Sequence, residues 1–154
     1  MMPRFLLDGM LGSLSRWLRI GGYDTEYKKD KPDDDLIDDA GRDDRILLTR
    51  DEALVHRARK RGVKAIYIKN DGDEDALRQL ATELRLEYDP VKARCPKCNN
   101  AIEKVAKAEV ADRVPEGTYK AIDEYWVCPH CGSIYWRGSH WQRIVETLSV
   151  ADRN

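Results

Sequence analysis

Arg45-Ile46-Leu47-Leu48-Thr49-Arg50-Asp51 is the stretch on which the fold turns. Ile46, Leu47 and Leu48 are apolar without alternation, as in a short strand covered on both faces. The strand ends in a hydroxyl, a base and an acid. Thr49 and Asp51 suit the capping of a following helix, because a short side-chain oxygen accepts from the first free amides. In open parallel sheets, ligands bind just beyond the carboxyl ends of the strands. Asp51 stands at such an end, which directs attention to acids in equivalent places.

Before this stretch, Arg4-Phe5-Leu6-Leu7 is a short apolar strand that ends in Asp8-Gly9. Leu11, Leu14 and Leu18 then share one helical face, widened by Trp17 and Ile20, and Gly21-Gly22 stops the helix. Tyr23 to Tyr27 reads as a second strand. Asp33-Asp34-Asp35 opens a helix to about Arg42, since amide dipoles favour acids in a first turn. After Asp51 comes a helix from about Glu52 to Arg61, with Ala53, Leu54 and Ala58 inward. A strand over Lys64–Lys69 and a helix over Glu74–Leu84 follow. The β-α alternation predicts an α/β fold, a parallel sheet flanked by helices with right-handed crossovers. Pro90 closes the unit, so residues 1–90 form one domain and 91–154 a second of different pattern.

The 154 residues carry 27 basic and 28 acidic side chains, a net charge of −1. That balance gives no global attraction to nucleic acid or membrane. No apolar run approaches the roughly 18 residues needed to cross a bilayer, and Met1–Leu7 does not read as a secretory leader. A cytoplasmic location is expected, where thiols bind metal more often than they pair.

All four cysteines fall in two Cys-x-x-Cys turns, Cys95-Pro96-Lys97-Cys98 and Cys128-Pro129-His130-Cys131, with 29 residues between. Two such turns can place four thiolates around one structural Zn²⁺. Ile122–Val127 leads into the second turn as a strand and Ile134-Tyr135-Trp136 leaves it as another, the pattern of a zinc ribbon. Gly132 is free to take a positive φ there. A redox dithiol would start a long helix and would leave Cys95 and Cys98 unexplained. His130 reads as a neighbour of the metal turn rather than a ligand. Ser139 is a candidate cap for a last helix, with Trp141, Ile144, Val145 and Leu148 inward. Arg137 and Trp141 suit phosphate and base contacts; the alternative is that the Trp residues pack the ribbon on the larger domain.

Asp8, Asp33, Asp34 and Asp51 all follow strands or open helices, so in a parallel sheet they fall on one edge. Carboxylates converging there repel unless a cation sits among them, and Mg²⁺ or Mn²⁺ takes oxygen ligands. Asp71, Asp73 and Asp75 are further candidates. Metal held by carboxylates suits phosphodiester hydrolysis, although an Asp at a helix start needs no function. No glycine-rich phosphate loop ending in Lys-Ser/Thr occurs, nor a Gly-x-Ser-x-Gly elbow. His56 reads as a helix-face residue.

Phe5-Leu6-Leu7-Asp8-Gly9-Met10-Leu11-Gly12, Arg16-Trp17-Leu18-Arg19, Gly22-Tyr23-Asp24-Thr25 and Ile46-to-Asp51 resemble the Mut7-C family. So do Asp112-Arg113-Val114-Pro115 and Tyr135-Trp136-Arg137-Gly138-Ser139-His140-Trp141. The resemblance implies a PIN-like ribonuclease domain followed by a C-terminal zinc ribbon, and Mg²⁺- or Mn²⁺-dependent cleavage of RNA. It carries Asp8 and Asp51 as metal-binding acids, with Asp33 or Asp34 as a third. It also makes a homodimer plausible. Arg16, Arg19 and Arg50 are then candidate phosphate contacts, since Arg offers a planar fork of donors. The alternative is an inactive module that binds RNA or a protein.

Overall fold

The computed structural model describes residues 2–153. Strands β1 (Phe5–Asp8), β2 (Thr25–Lys28), β3 (Ile46–Thr49) and β4 (Ala65–Tyr67) alternate with helices α1 (Gly12–Ile20), α2 (Asp33–Arg42), α3 (Glu52–Lys60) and α4 (Asp73–Leu84). Every pairing among these strands is parallel, in the order β2-β1-β3-β4. The α/β sheet flanked by helices therefore follows from the alternation read in the sequence.

Successive side chains of a strand point to opposite faces, and both faces are covered here. Leu6 and Leu47 meet Leu36 and Ile37 of α2 and Leu54, Val55 and Ala58 of α3. Phe5, Leu7 and Leu48 meet Leu14 and Leu18 of α1 and Leu77 and Leu80 of α4. Ala53, expected on the inner side of α3, is exposed. It lies about 100° around the helix from Leu54, and Val55 takes the inward place.

The cysteine-bearing part adds β5 (Glu103–Val105), β6 (Tyr125–Val127) and β7 (Ile134–Tyr135), an antiparallel ribbon in the order β5-β6-β7. The sequence reading missed β5 because two of its three residues are charged and exposed. A 3₁₀ turn (Lys107–Val110) and the short helix α5 (Glu116–Ala121) connect β5 to β6. Helix α6 (Trp141–Ala151) returns to the α/β part: Leu148 and Ala151 are buried in the same cluster as Leu77 and Leu80. Ser139 does not cap α6. A turn from Gly138 O to Trp141 N precedes the helix, and His140 occupies the cap position without a side-chain bond.

Candidate functional site

β2 lies on one side of β1 and β3 on the other. The chain therefore reverses its direction of travel between β1 and β3, and the crevice at that point is where doubly wound sheets bind ligands. Asp8 ends β1 and Thr49 ends β3. The buried Thr49 hydroxyl donates to Asp8 Oδ2 at 2.5 Å and accepts from the Asp51 amide at 3.1 Å. Asp8 Oδ1 accepts from the Met10 amide at 3.2 Å. Asp51 Oδ1 accepts from the Ala53 and Leu54 amides at 3.0 and 3.3 Å, capping α3. Asp8, Thr49 and Asp51 thus form one hydrogen-bonded chain at the switch point. Thr49, expected with Asp51 to cap the following helix, does not cap it: Asp51 alone does, and the Thr49 hydroxyl ties Asp8 to the Asp51 backbone instead.

The remaining acids share this edge but hold other partners. Asp33 and Asp34, in the first turn of α2, both pair with Arg57 of α3. Asp71 pairs with Arg50, and Asp73 accepts from the Ser13 hydroxyl at the start of α1 at 3.1 Å. Among the described residues no three carboxylates are gathered closely enough to hold a metal ion as they stand. Like charges separate, and each of these acids has a donor within reach.

The four cysteines do converge: one Sγ from each of Cys95, Cys98, Cys128 and Cys131 lies within 4.8 Å of every other. Cys95 and Cys131 sulfurs are 3.7 Å apart, and those of Cys98 and Cys128 are 3.4 Å apart. Disulfide sulfurs sit about 2.05 Å apart. Four thiolates each about 2.3 Å from a tetrahedral Zn²⁺ would be separated by roughly 3.8 Å. The cluster therefore has the dimensions of a structural zinc site. The two turns are built alike. Asn99 N donates to Cys95 O and Gly132 N to Cys128 O, both at 2.8 Å. Asn99 and Gly132 take the left-handed conformation, at φ 70° and 79°. Tyr135 Oη lies 3.0 Å from Cys95 Sγ and Ser133 Oγ 3.2 Å from Cys131 Sγ, where hydroxyls can donate to thiolates. The contact with Ser133 draws the Cys131 thiol down to about 6, whereas burial pushes Cys128 up to about 11.

The first cysteine turn is bolted to the open edge of the sheet. Asn99 Oδ1 accepts from Thr25 N at 2.9 Å, and Asn99 Nδ2 donates to Asp24 Oδ1 at 2.6 Å. An edge strand exposes unpaired amides, and the Asn99 side chain satisfies one of them. Arg19, a candidate phosphate contact in the sequence, is buried. Its Nη1 donates to Pro96 O and its Nε to Thr25 O, both at 2.8 Å. It faces the seam between the cysteine turn and the sheet rather than a polyanion. Arg16 is exposed, and Arg50 is half-buried beside Asp71. Arg137 lies 4.8 Å from the Trp126 ring centre and 4.9 Å from that of Trp141. Asn99 escaped the sequence reading; its place after the second Cys of its turn, matching Gly132, was the available signal.

Fold and site together define an α/β protein with an acidic switch point and a four-cysteine ribbon fitted for zinc. Residues 3–148 match the family model described as the Mut7-C RNAse domain, and the chain belongs to that family. The family assignment supports a ribonuclease with RNA as substrate. No curated protein and no solved structure matches the chain. Among the described residues, no helix is long and apolar enough to cross a membrane.

Proposed function

We propose that this chain is a PIN-like, metal-dependent endoribonuclease that hydrolyses RNA phosphodiester bonds at the carboxyl edge of its sheet. The observation that carries the reading is the Asp8–Thr49–Asp51 chain at the switch point, within a family of ribonuclease domains. Carboxylate oxygens are the donors that Mg²⁺ and Mn²⁺ prefer. Asp8 and Asp51 would hold the ion, with Asp33 or Asp34 of the same edge as a third donor. A bound divalent ion supplies Lewis acidity and an acidified water at neutral pH. Thr49 orients the Asp8 carboxylate, and the exposed Arg16 offers a fork for a phosphate. The four cysteines would hold Zn²⁺ as a structural ion, and four free thiols suit a reducing cytoplasm.

The test is cleavage of an end-labelled single-stranded RNA with Mn²⁺, with Mg²⁺ and with no added divalent ion. Asp8→Asn and Asp51→Asn are run alongside. Asn caps helices as well as Asp does, so Asp51→Asn keeps α3. Cleavage is expected to require the ion and to fall at least about 100-fold in both variants, the scale of lost charge stabilisation at a reacting phosphate. Full activity of Asp51→Asn would sink the mechanism. The second reading, an inactive module that binds RNA, draws on the separation of the carboxylates. Tight RNA binding without cleavage under any ion would favour it.

A further inference from the structure

A cavity of about 430 Å³ lies between the C-terminal end of α1, the 3₁₀ turn Pro90–Lys92 and the ribbon. Three of the four Trp residues of the chain, Trp126, Trp136 and Trp141, line it. So do Lys92, Arg94, Lys104 and Arg137, and no acidic side chain is among its lining residues. A chain of net charge −1 has thus gathered cations and indoles in one concave place. Lys92 is exposed and has no ion pair among the described residues. Lys104 reaches Glu124 at 2.7 Å, but both side chains are more than half exposed, so that pair exchanges readily with another anion. Arg137 sits against the rings of Trp126 and Trp141 and holds the two indoles in register. Val91 at the rim is 75% exposed, an apolar side chain left uncovered.

We propose that this groove is an anchoring subsite for single-stranded RNA, in which one unpaired base stacks on the indoles and its flanking phosphates meet Lys92 and Lys104. The inference rests on the ribonuclease reading for its choice of RNA. The volume lies within the range of small-ligand sites, and aromatic platforms beside cations are how single strands are held without sequence preference. A duplex cannot use the groove, because its bases are already stacked. The groove is distinct from the acidic edge. Asp8 precedes α1 and Ile20 ends it, so the nine residues of that helix, roughly 13 Å at 1.5 Å rise, separate the two places. Anchoring and cutting therefore occur at different nucleotides of one strand. The groove also involves Lys92, Arg94 and Trp126, none of which the sequence motifs single out.

The experiment measures binding of a nuclease-resistant 2′-O-methyl RNA decamer to the zinc-loaded full chain with no added Mg²⁺ or Mn²⁺. Anisotropy and tryptophan quenching are the readouts. Three probes are used: the decamer, an abasic decamer of the same length, and a duplex. Trp126→Leu should weaken binding of the decamer about tenfold, the scale of one lost stacking contact. The abasic strand and the duplex should bind wild type at least as weakly. Lys92→Ala should lower the slope of log K against log salt by about 0.7, the loss of one phosphate contact on a single strand. Because Lys92 is exposed, that variant tests the groove even if Trp126→Leu does not fold. With cleavable RNA, the loss in Trp126→Leu should appear as a raised KM. Equal binding of abasic and normal strands, or an unchanged salt slope in Lys92→Ala, would overturn the subsite. Wild type that cleaves RNA while both variants bind normally removes the subsite alone. Wild type that binds through the groove and never cleaves removes the ribonuclease reading alone.

Discussion

Asp24→Ala offers the sharpest test of how the cysteine turn and the sheet hold each other. Asp24 Oδ1 accepts from Arg45 Nη1 at 2.8 Å and from Asn99 Nδ2 at 2.6 Å. Arg4 and Arg94 stand at 3.4 and 3.9 Å. The Arg45 side chain is only 5% exposed, so truncating Asp24 takes the nearest carboxylate from a buried guanidinium and leaves its Nη1 only the backbone carbonyls of Phe5 and Asp24. Its Nε already lacks a partner. Breaking a buried pair costs about 3–5 kcal/mol. Glu26 remains 3.3 Å from Arg45 Nη2, which places the cost near the lower end, about 3 kcal/mol. At about 2–4 °C per kcal/mol for a chain of this size, the midpoint should fall by roughly 6–12 °C. Acid titration supplies an independent signature. Burial opposes ionisation of Asp24, but hydrogen bonds from Arg45 and Asn99 outweigh it and hold the carboxyl at about 2. A depressed folded pKa gives stability that is present above the ordinary value of 3.8 and is lost as pH falls through about 2. The shift corresponds to about 2 kcal/mol. Thermal and urea denaturation of wild type and variant at pH 7, 4 and 2.5 would read both effects. A variant whose midpoint matches wild type at pH 7, or whose acid slope is undiminished, refutes the argument.

Three further outcomes are expected. Metal analysis should find one Zn²⁺ per chain. Stripping it with a strong chelator should expose Trp126 and Trp136 in fluorescence and raise amide exchange at Thr25, whose N–H depends on Asn99; unchanged exchange at Thr25 would uncouple turn from sheet. Asn99→Gly keeps the left-handed backbone but loses the side-chain bonds to Thr25, Asp24 and Arg94, so it should cost about 1–3 kcal/mol by leaving Thr25 N unpaired, read by denaturant midpoint. Leu148→Ala should cost about 2–5 kcal/mol, because Leu148 is fully buried against α4; a cost under about 1 kcal/mol by the same assay would show that α6 contributes little to the core.

Much of the α/β part was legible because local pattern carries it. Apolar triplets such as Ile46-Leu47-Leu48 bury on both faces wherever the strand sits, and Gly22 and Gly62 punctuate helices by taking a positive φ. The cysteine spacing was equally legible, since two Cys-x-x-Cys turns are suited to bringing four thiolates to one metal ion. Less was visible where a residue works across the chain. Arg19 looks like any helical Arg until α1 is docked, after which Pro96, 77 residues away, accepts from it. β5 carries a single apolar residue, Val105, and its order comes from pairing with Tyr125–Val127.

What the amino-acid sequence by itself determined is the alternation of strands and helices, the acids at strand ends and the paired cysteines. Each of these depends on neighbours within a few residues. Tertiary structure alone decided the strand order β2-β1-β3-β4, and with it the meeting of Asp8 with Thr49 and Asp51 at the switch point. It also decided that Asp33 and Asp34 turn to Arg57, that Asn99 closes the sheet edge, and that three indoles share a groove with four cations. The physical reason is range. Side-chain periodicity reports that a face is buried, but the identity of what lies across it depends on crossover handedness and packing between segments far apart in the chain.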